Sequence, residues 1–207
     1  HESQSRFYEN IIGRSRAFCS VIYPWLKEHF APRLDHVTED DFYRMINKSE
    51  PSFIRTEADE LTYCLHIMVR YELEKRMFDG SLTAHDLPAE WNRLYKEYLG
   101  IDVPDDRQGV LQDSHWANGN IGYFPSYAIG SAYGAQYLQE MSKDLDVDAV
   151  VRSGDLTPIN NWLEDRIWKH GCMKDPVALF ESVCGKFDPD CYVAYLEKKF
   201  TEVYGLS

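Results

Sequence analysis

The sequence predicts an all-α fold, mainly helical, with at most a minor pair of short strands. Three observations carry that expectation. Apolar side chains recur at steps of three and four along most of the chain, the period of one helix face. Prolines and glycines stand where such runs begin and stop. Only one long stretch, Ile101 to Tyr127, loses the period.

The first face is Phe7, Ile11, Phe18 and Ile22, bridged by Ser15 and Cys19. This helix is expected to end near Tyr23-Pro24, because proline disfavours the helical conformation in the residue before it. A short helix should follow from Thr38, with Thr38 as its cap, Asp41 favoured by the positive helix end, and Asn47 closing it. From Thr56 to about Phe78, Leu61, Cys64, Leu65, Met68 and Leu73 fall on one side and Arg70, Glu74, Lys75 and Arg76 on the other. Acids at the front of that run and bases toward its end complement the helix dipole. The next helix opens at Leu87-Pro88 and stops at Gly100, since proline suits a first turn and glycine a helix end. Thr157-Pro158 repeats the device, with a stop at His170-Gly171, and Asp190 is expected to cap a terminal helix through Val193, Leu196, Phe200 and Val203. The aperiodic stretch from 101 to 127 is too long for a plain connection and reads as a structured functional loop, with helix resuming at Ala128. No internal repeat or flexible linker is evident, so a single helical domain over 1–207 is expected.

Lys and Arg number 22 against 34 Asp and Glu, a formal charge of −12. A general affinity for nucleic acid or anionic membrane needs a concentrated basic face, so neither is expected as a partner. No apolar run of spanning length and no basic-then-apolar leader occurs. Cys19, Cys64, Cys172, Cys184 and Cys191 are odd in number and contain no C-x-x-C pair, which fits a reducing, cytoplasmic setting. The chain opens on His1 rather than Met, so it is expected to be a processed chain or a piece of a longer one.

Nucleotide chemistry lacks its motif, because Gly119, Gly122, Gly130 and Gly134 are not followed by Lys-Ser/Thr, and no G-x-S-x-G elbow supports a serine hydrolase. Three polar clusters remain: His1-Glu2-Ser3-Gln4, Ile54-Arg55-Thr56-Glu57-Ala58-Asp59, and Gly109-Val110-Leu111-Gln112-Asp113-Ser114-His115-Trp116 with Gly122-Tyr123-Phe124-Pro125-Ser126-Tyr127 after it. Singly, the first is an ordinary terminus and the second an ordinary acid-rich helix start. In the third, more polar and aromatic groups crowd one short segment than loop solubility requires.

In this order the clusters resemble the carboxypeptidase Taq family of metallocarboxypeptidases, whose signatures are HES-Q, IRxxAD and GxxQDxHW. The likeness extends over essentially the whole chain, including Pro51-Ser52, Leu61-Thr62-Tyr63 and Gly122-Tyr123-Phe124-Pro125. The sequence departs from the family in lacking the upstream HExxH helix and the DxRxT segment before it, and with them two His ligands and the general base. The resemblance therefore implies the C-terminal part of a longer, gluzincin-like helical metallopeptidase that releases single residues from peptide C-termini. It implies Glu2 as the third ligand of a zinc (or cobalt) ion in the full-length enzyme, with no catalytic metal held by this chain alone. His115, Tyr123 and Tyr127 become candidate catalytic donors to the charge that develops on the scissile carbonyl. Arg55, whose guanidinium forks well onto a carboxylate, and Gln112 become candidate substrate contacts. Gln4, Asp59 and Asp113 become the residues that hold these groups in orientation. Glu2, Arg55 and His115 are expected to line one cleft. The expected partners are peptide C-termini, the missing N-terminal portion and a second copy in a homodimer. The rival reading is a non-catalytic helical interaction module derived from the same fold.

Overall fold

A computed structural model describes residues 1–206, and among them no strand occurs. The helices are α1 (Glu2–Arg6), which runs into a π-helical turn at Phe7–Ile12, α2 (Arg16–His29), α3 (Glu39–Ile46), α4 (Tyr63–Phe78), α5 (Leu87–Leu99), α6 (Pro125–Met141), α7 (Val147–Ser153), α8 (Thr157–Arg166), α9 (Pro176–Cys184) and α10 (Asp190–Tyr204). Two compact units emerge: His1–Asn47 together with the chain from Gly130 onward, and Lys48–Ile129.

In the first unit the expected opening helix is two elements. Ser15 breaks it, its side chain accepting from Phe18 N at 3.0 Å to cap α2. That helix then passes through Pro24 instead of ending before it. The missing N–H at Pro24 costs about 3 kcal/mol in an isolated helix. Burial of Cys19 and Tyr23, with the Tyr23 hydroxyl donating to the Val37 carbonyl, holds the helix across it. Thr38 and Asp41 form the expected start of α3 as a reciprocal capping box. Asp190 opens α10 inside its first turn rather than capping it, and its N–H donates to Asp188 at 3.0 Å. The short helices α7 and α9 are capped by Asp146 and Asp175, and are too brief to announce themselves by period. Phe7, Ile11, Ile12, Tyr137, Met141, Ile159, Leu163 and Phe180 share the main core of this unit.

In the second unit α4 begins at Tyr63, seven residues later than the period implies. The acids lie ahead of it, in a 3₁₀ turn at Arg55–Glu57 and the bend that follows. The buried face of α4 also differs from the expected one. Leu61, just ahead of the helix, and Met68 are exposed, while Tyr63, His66, Ile67, Val69, Arg70, Leu73 and Glu74 are buried. An apolar-only template rotated the helix, because two of its core positions are charged. Helix α5 runs as expected from Leu87 to the left-handed Gly100 (φ 73°). Val69, Leu73, Trp91, Leu94 and Tyr95 pack α4 on α5, and the segment from Ile101 to Phe124 follows as turns, within the expectation of at most a minor strand pair.

Candidate active site

Glu2 stands in the first turn of α1, where a carboxylate complements the helix dipole. Its side-chain oxygens have no hydrogen-bond or ion-pair partner among the described residues. What fixes the helix is close packing. A Cβ added at Gly130 would lie 3.0 Å from Glu2 C, Glu2 Cβ and Ser3 N, so α6 approaches α1 backbone to backbone at that point. Gly134, one turn on, faces Ser3 O at 3.6 Å. Ser131, between these glycines, accepts from Arg6 Nε at 3.3 Å. Gln4 bridges outward, its Oε1 accepting from Trp168 Nε1 at 2.9 Å. Beyond Arg6 the π-helical turn leaves the Asn10 carbonyl accepting from the buried Lys199 Nζ at 3.2 Å. Among the described residues no three His, Cys, Asp or Glu side chains are placed to hold a metal ion. Glu2 therefore fits one ligand of a set, not a set.

The second unit holds seven of the candidates. Asp113 is largely covered between two guanidinium groups, its side chain 10% exposed: its Oδ1 accepts from Arg55 Nη2 at 2.7 Å and Nε at 3.1 Å, and its Oδ2 from Arg70 Nε at 2.6 Å. Burial alone would raise its pKa, but bonds from Arg55 and the charges of both arginines outweigh it and hold the carboxyl below its usual range. Arg55, only 6% exposed, also donates from Nη1 to the Tyr63 hydroxyl at 3.2 Å. These bonds leave one N–H on each terminal nitrogen of Arg55 uncommitted. Pairing of Arg55 with Glu57 or Asp59, the simplest reading of the helix start, does not occur; the ion pair is with Asp113, 58 residues away.

Gln112 is committed throughout. Its Oε1 accepts from the Arg55 backbone N–H and from Arg70 Nη2, both at 2.8 Å, and its Nε2 donates to Phe53 O and Gln108 O, both at 2.9 Å. His115 Nε2 lies 3.0 Å from the Tyr127 hydroxyl, while its buried Nδ1 has no partner and stands 3.9 Å from Asp113 Oδ1. Burial lowers the pKa of His115, so the ring is neutral near pH 7. The ring packs at 4.4 Å on Phe124, and half-exposed Tyr123 stacks edge-on against Tyr127 at 5.3 Å. Asp59 organises the neighbouring bend, accepting from Ser49 Oγ, Glu50 N, Leu61 N and Thr62 N.

Arg70 and Glu74 are the residues the sequence reading missed. Arg70 is fully buried under Trp91, its guanidinium carbon 4.6 Å from that ring. Glu74, one turn on, accepts from Trp116 Nε1 at 2.7 Å and Gly122 N at 3.2 Å. Together they hold the Gln112–Gly122 part of the irregular segment to α4. The signal was present as Tyr63, Ile67, Arg70 and Glu74, spaced by four, three and four along one face. In the first unit burial pushes the Cys19 thiol up to about 11 and the Cys184 thiol up to about 12, so both are protonated and inert near neutral pH.

Comparison with known proteins gives the chain a family. The carboxypeptidase Taq (M32) metallopeptidase family matches residues 1–200. Carboxypeptidase 1 of Bacillus subtilis is 45% identical over 206 residues, and thermostable carboxypeptidase 1 of Thermus thermophilus is 43% identical over 208. Each match covers 99% of this chain, which spans only 41% and 40% of those relatives. The solved M32 carboxypeptidase from Deinococcus radiodurans superposes over all of the chain with a TM-score of 0.95 at 39% identity, matching 42% of its own length. With HES-Q, IRxxAD and GxxQDxHW all in place, this chain belongs to the carboxypeptidase Taq (M32) family of metallopeptidases.

Proposed function

We propose that this chain is the C-terminal portion of a metal-dependent carboxypeptidase, working with zinc or cobalt, that releases single amino acids from peptide C-termini. The observation that carries the reading is Glu2, a carboxylate without a protein partner on a helix locked against Gly130, in a chain of this family. Glu2 would hold the metal together with two histidines from a preceding HExxH segment, which would also bring the general base. A metal bound in this way lowers the pKa of its water and supplies a nucleophile at neutral pH. Gln4 steadies α1 through Trp168.

On the peptide side, the uncommitted N–H groups of Arg55 bind the free terminal carboxylate. The neutral His115 ring and the hydroxyls of Tyr123 and Tyr127 donate to the carbonyl oxygen as it gains charge. Gln112, with no free hydrogen-bonding position, acts on Arg55 rather than on the peptide, as Asp113 does, and Asp59 fixes the bend beside them. The full-length enzyme works as a cytoplasmic homodimer. The odd number of cysteines, with no C-x-x-C pair, supports the compartment.

The test uses the full-length enzyme and this chain in parallel. The enzyme should release C-terminal residues in a chelator-sensitive way, with Glu2→Gln lowering metal content and turnover together, and the 207-residue chain should be inactive alone. Full metal content and turnover in the Glu2→Gln enzyme overturns the reading.

A further inference from the structure

The buried charges of α4 have no part in the roles given so far. Arg70 is the largest charged side chain wholly excluded from solvent in this unit, and it makes no bond to Arg55. Yet two of its acceptors are groups that also hold Arg55. Asp113 offers Oδ2 to Arg70 and Oδ1 to Arg55, so one carboxylate fixes the Arg55 guanidinium. Gln112 offers the same Oε1 to Arg70 Nη2 and to the Arg55 backbone N–H, so one amide fixes the Arg55 main chain. Arg70 itself is held from behind by the His66 carbonyl at 2.7 Å and by the Trp91 face.

We infer that Arg70 is a positioning residue for the carboxylate-binding arginine: it sets the Arg55 side chain through Asp113 and the Arg55 backbone through Gln112. The inference rests on the proposed role of Arg55. A guanidinium suits the position, because its rigid planar fork meets Asp113 through Nε and Gln112 through Nη2 from two fixed points, which a single ammonium nitrogen does not offer. An ammonium at position 70 keeps the charge beside Asp113 and gives up Gln112. The arrangement matters for recognition because Arg55 has few N–H groups left for a ligand, and their direction is fixed by where the other N–H groups are tied.

Two measurements separate positioning from mere stability. The first is amide exchange in the 207-residue chain with Arg70→Lys. The Arg55 amide should exchange about tenfold faster or more, the equivalent of roughly 1.4 kcal/mol, while core amides of α5 change by less than about threefold. An equal acceleration at both places makes Arg70 a structural residue only and overturns the inference. Arg70→Gln, which removes both the charge and the fork while leaving Gln112 and Asp113 in place, repeats the test should Arg70→Lys not fold, and it should release the Arg55 amide in the same selective way. The second measurement is kinetic, on the full-length enzyme. Arg70→Lys should raise KM for free-ended peptides about tenfold with kcat nearly kept, and should add nothing in an Arg55→Ala background. If Arg55→Ala keeps the preference for free over amidated peptides, the proposed role of Arg55 fails, and the exchange result still decides whether Arg70 positions it.

Discussion

Two carboxylates of this chain stand in opposite conditions. Asp113, its side chain only 10% exposed, takes donors on both oxygens and is flanked by Arg55 and Arg70; the carboxylate of Glu2, half-buried on a short helix, takes no donor among the described residues. The surroundings differ in the same sense. Around Asp113, side-chain bonds are dense and reach 40 to 60 residues along the chain. Around Glu2 the ordering force is steric, a backbone laid against Gly130. A saturated carboxylate can shape a site but cannot leave its partners to do chemistry, whereas a carboxylate placed by packing alone keeps its charge free for a ligand from elsewhere.

The sharpest way to break this contrast is to remove each charge in turn. Asp113→Ala strands two buried guanidinium groups and should cost about 3–5 kcal/mol of stability, whereas Glu2→Gln should stay within about 0.5 kcal/mol. Urea denaturation of the two variants checks both; equal losses would erase the distinction. Next in size is Arg55→Ala in the full-length enzyme, expected to lower kcat/KM by about two to three orders of magnitude, roughly 3 to 4 kcal/mol. Its discrimination against C-terminally amidated peptides should shrink as well, and paired assays on free and amidated substrates read this directly.

The Asp113 region also contains His66, fully buried, with Nδ1 3.1 Å from the Tyr95 hydroxyl and Nε2 unpartnered. Burial first, and then the Arg70 charge, push its pKa down to about 3. Above pH about 6.5 the ring is neutral in folded and unfolded chains alike. As the pH falls toward 3, the unfolded chain gains a proton that the folded chain refuses, so stability declines by up to about 1.4 kcal/mol per pH unit. A His66→Gln variant should show a flatter stability profile between pH 6.5 and 4. The smallest effects belong to the Glu2 side. Gly130→Ala drives a methyl into the α1 backbone and should cost about 1–3 kcal/mol. Gly134→Ala brings a methyl to 3.4 Å from the movable end of Ile11 and to ordinary contact with Ser3 O and Phe7 Cα, at 3.6 and 3.9 Å, and should change stability by about 0.5 kcal/mol or less. Thermal melts of the pair check whether close approach is confined to position 130.

Local signals were legible and long-range ones were not. Thr38 with Asp41, and Leu87-Pro88 with Gly100, carry their instructions within a few residues, and the structure follows them. The three motif clusters were legible as a family resemblance, and the family is shown. Pro24 was misread because the burial of its neighbours depends on contacts beyond the helix. Arg70 and Glu74 were placed on the solvent face because a buried charge makes sense only once its partners are known, and those lie 42 to 48 residues onward. The Gly130-x-x-x-Gly134 spacing was weighed only as a phosphate cradle; its use is to let another helix in.

The bond from Trp116 to Glu74 has an optical consequence. Trp116 stands edge-on to Trp91 at 6.1 Å, one indole N–H on a carboxylate and the other without a partner. Two adjacent chromophores in such unlike surroundings make the Gln112–Gly122 segment its own fluorescent reporter. Release of that segment from α4 would separate the rings and expose the Trp116 indole to water, changing emission colour and intensity together. Trp25 and Trp168 are already substantially exposed, and Trp162 belongs to the core of the other unit. Replacing Trp116 with Phe would isolate the signal, giving a label-free reading of loop order in the chain as it stands.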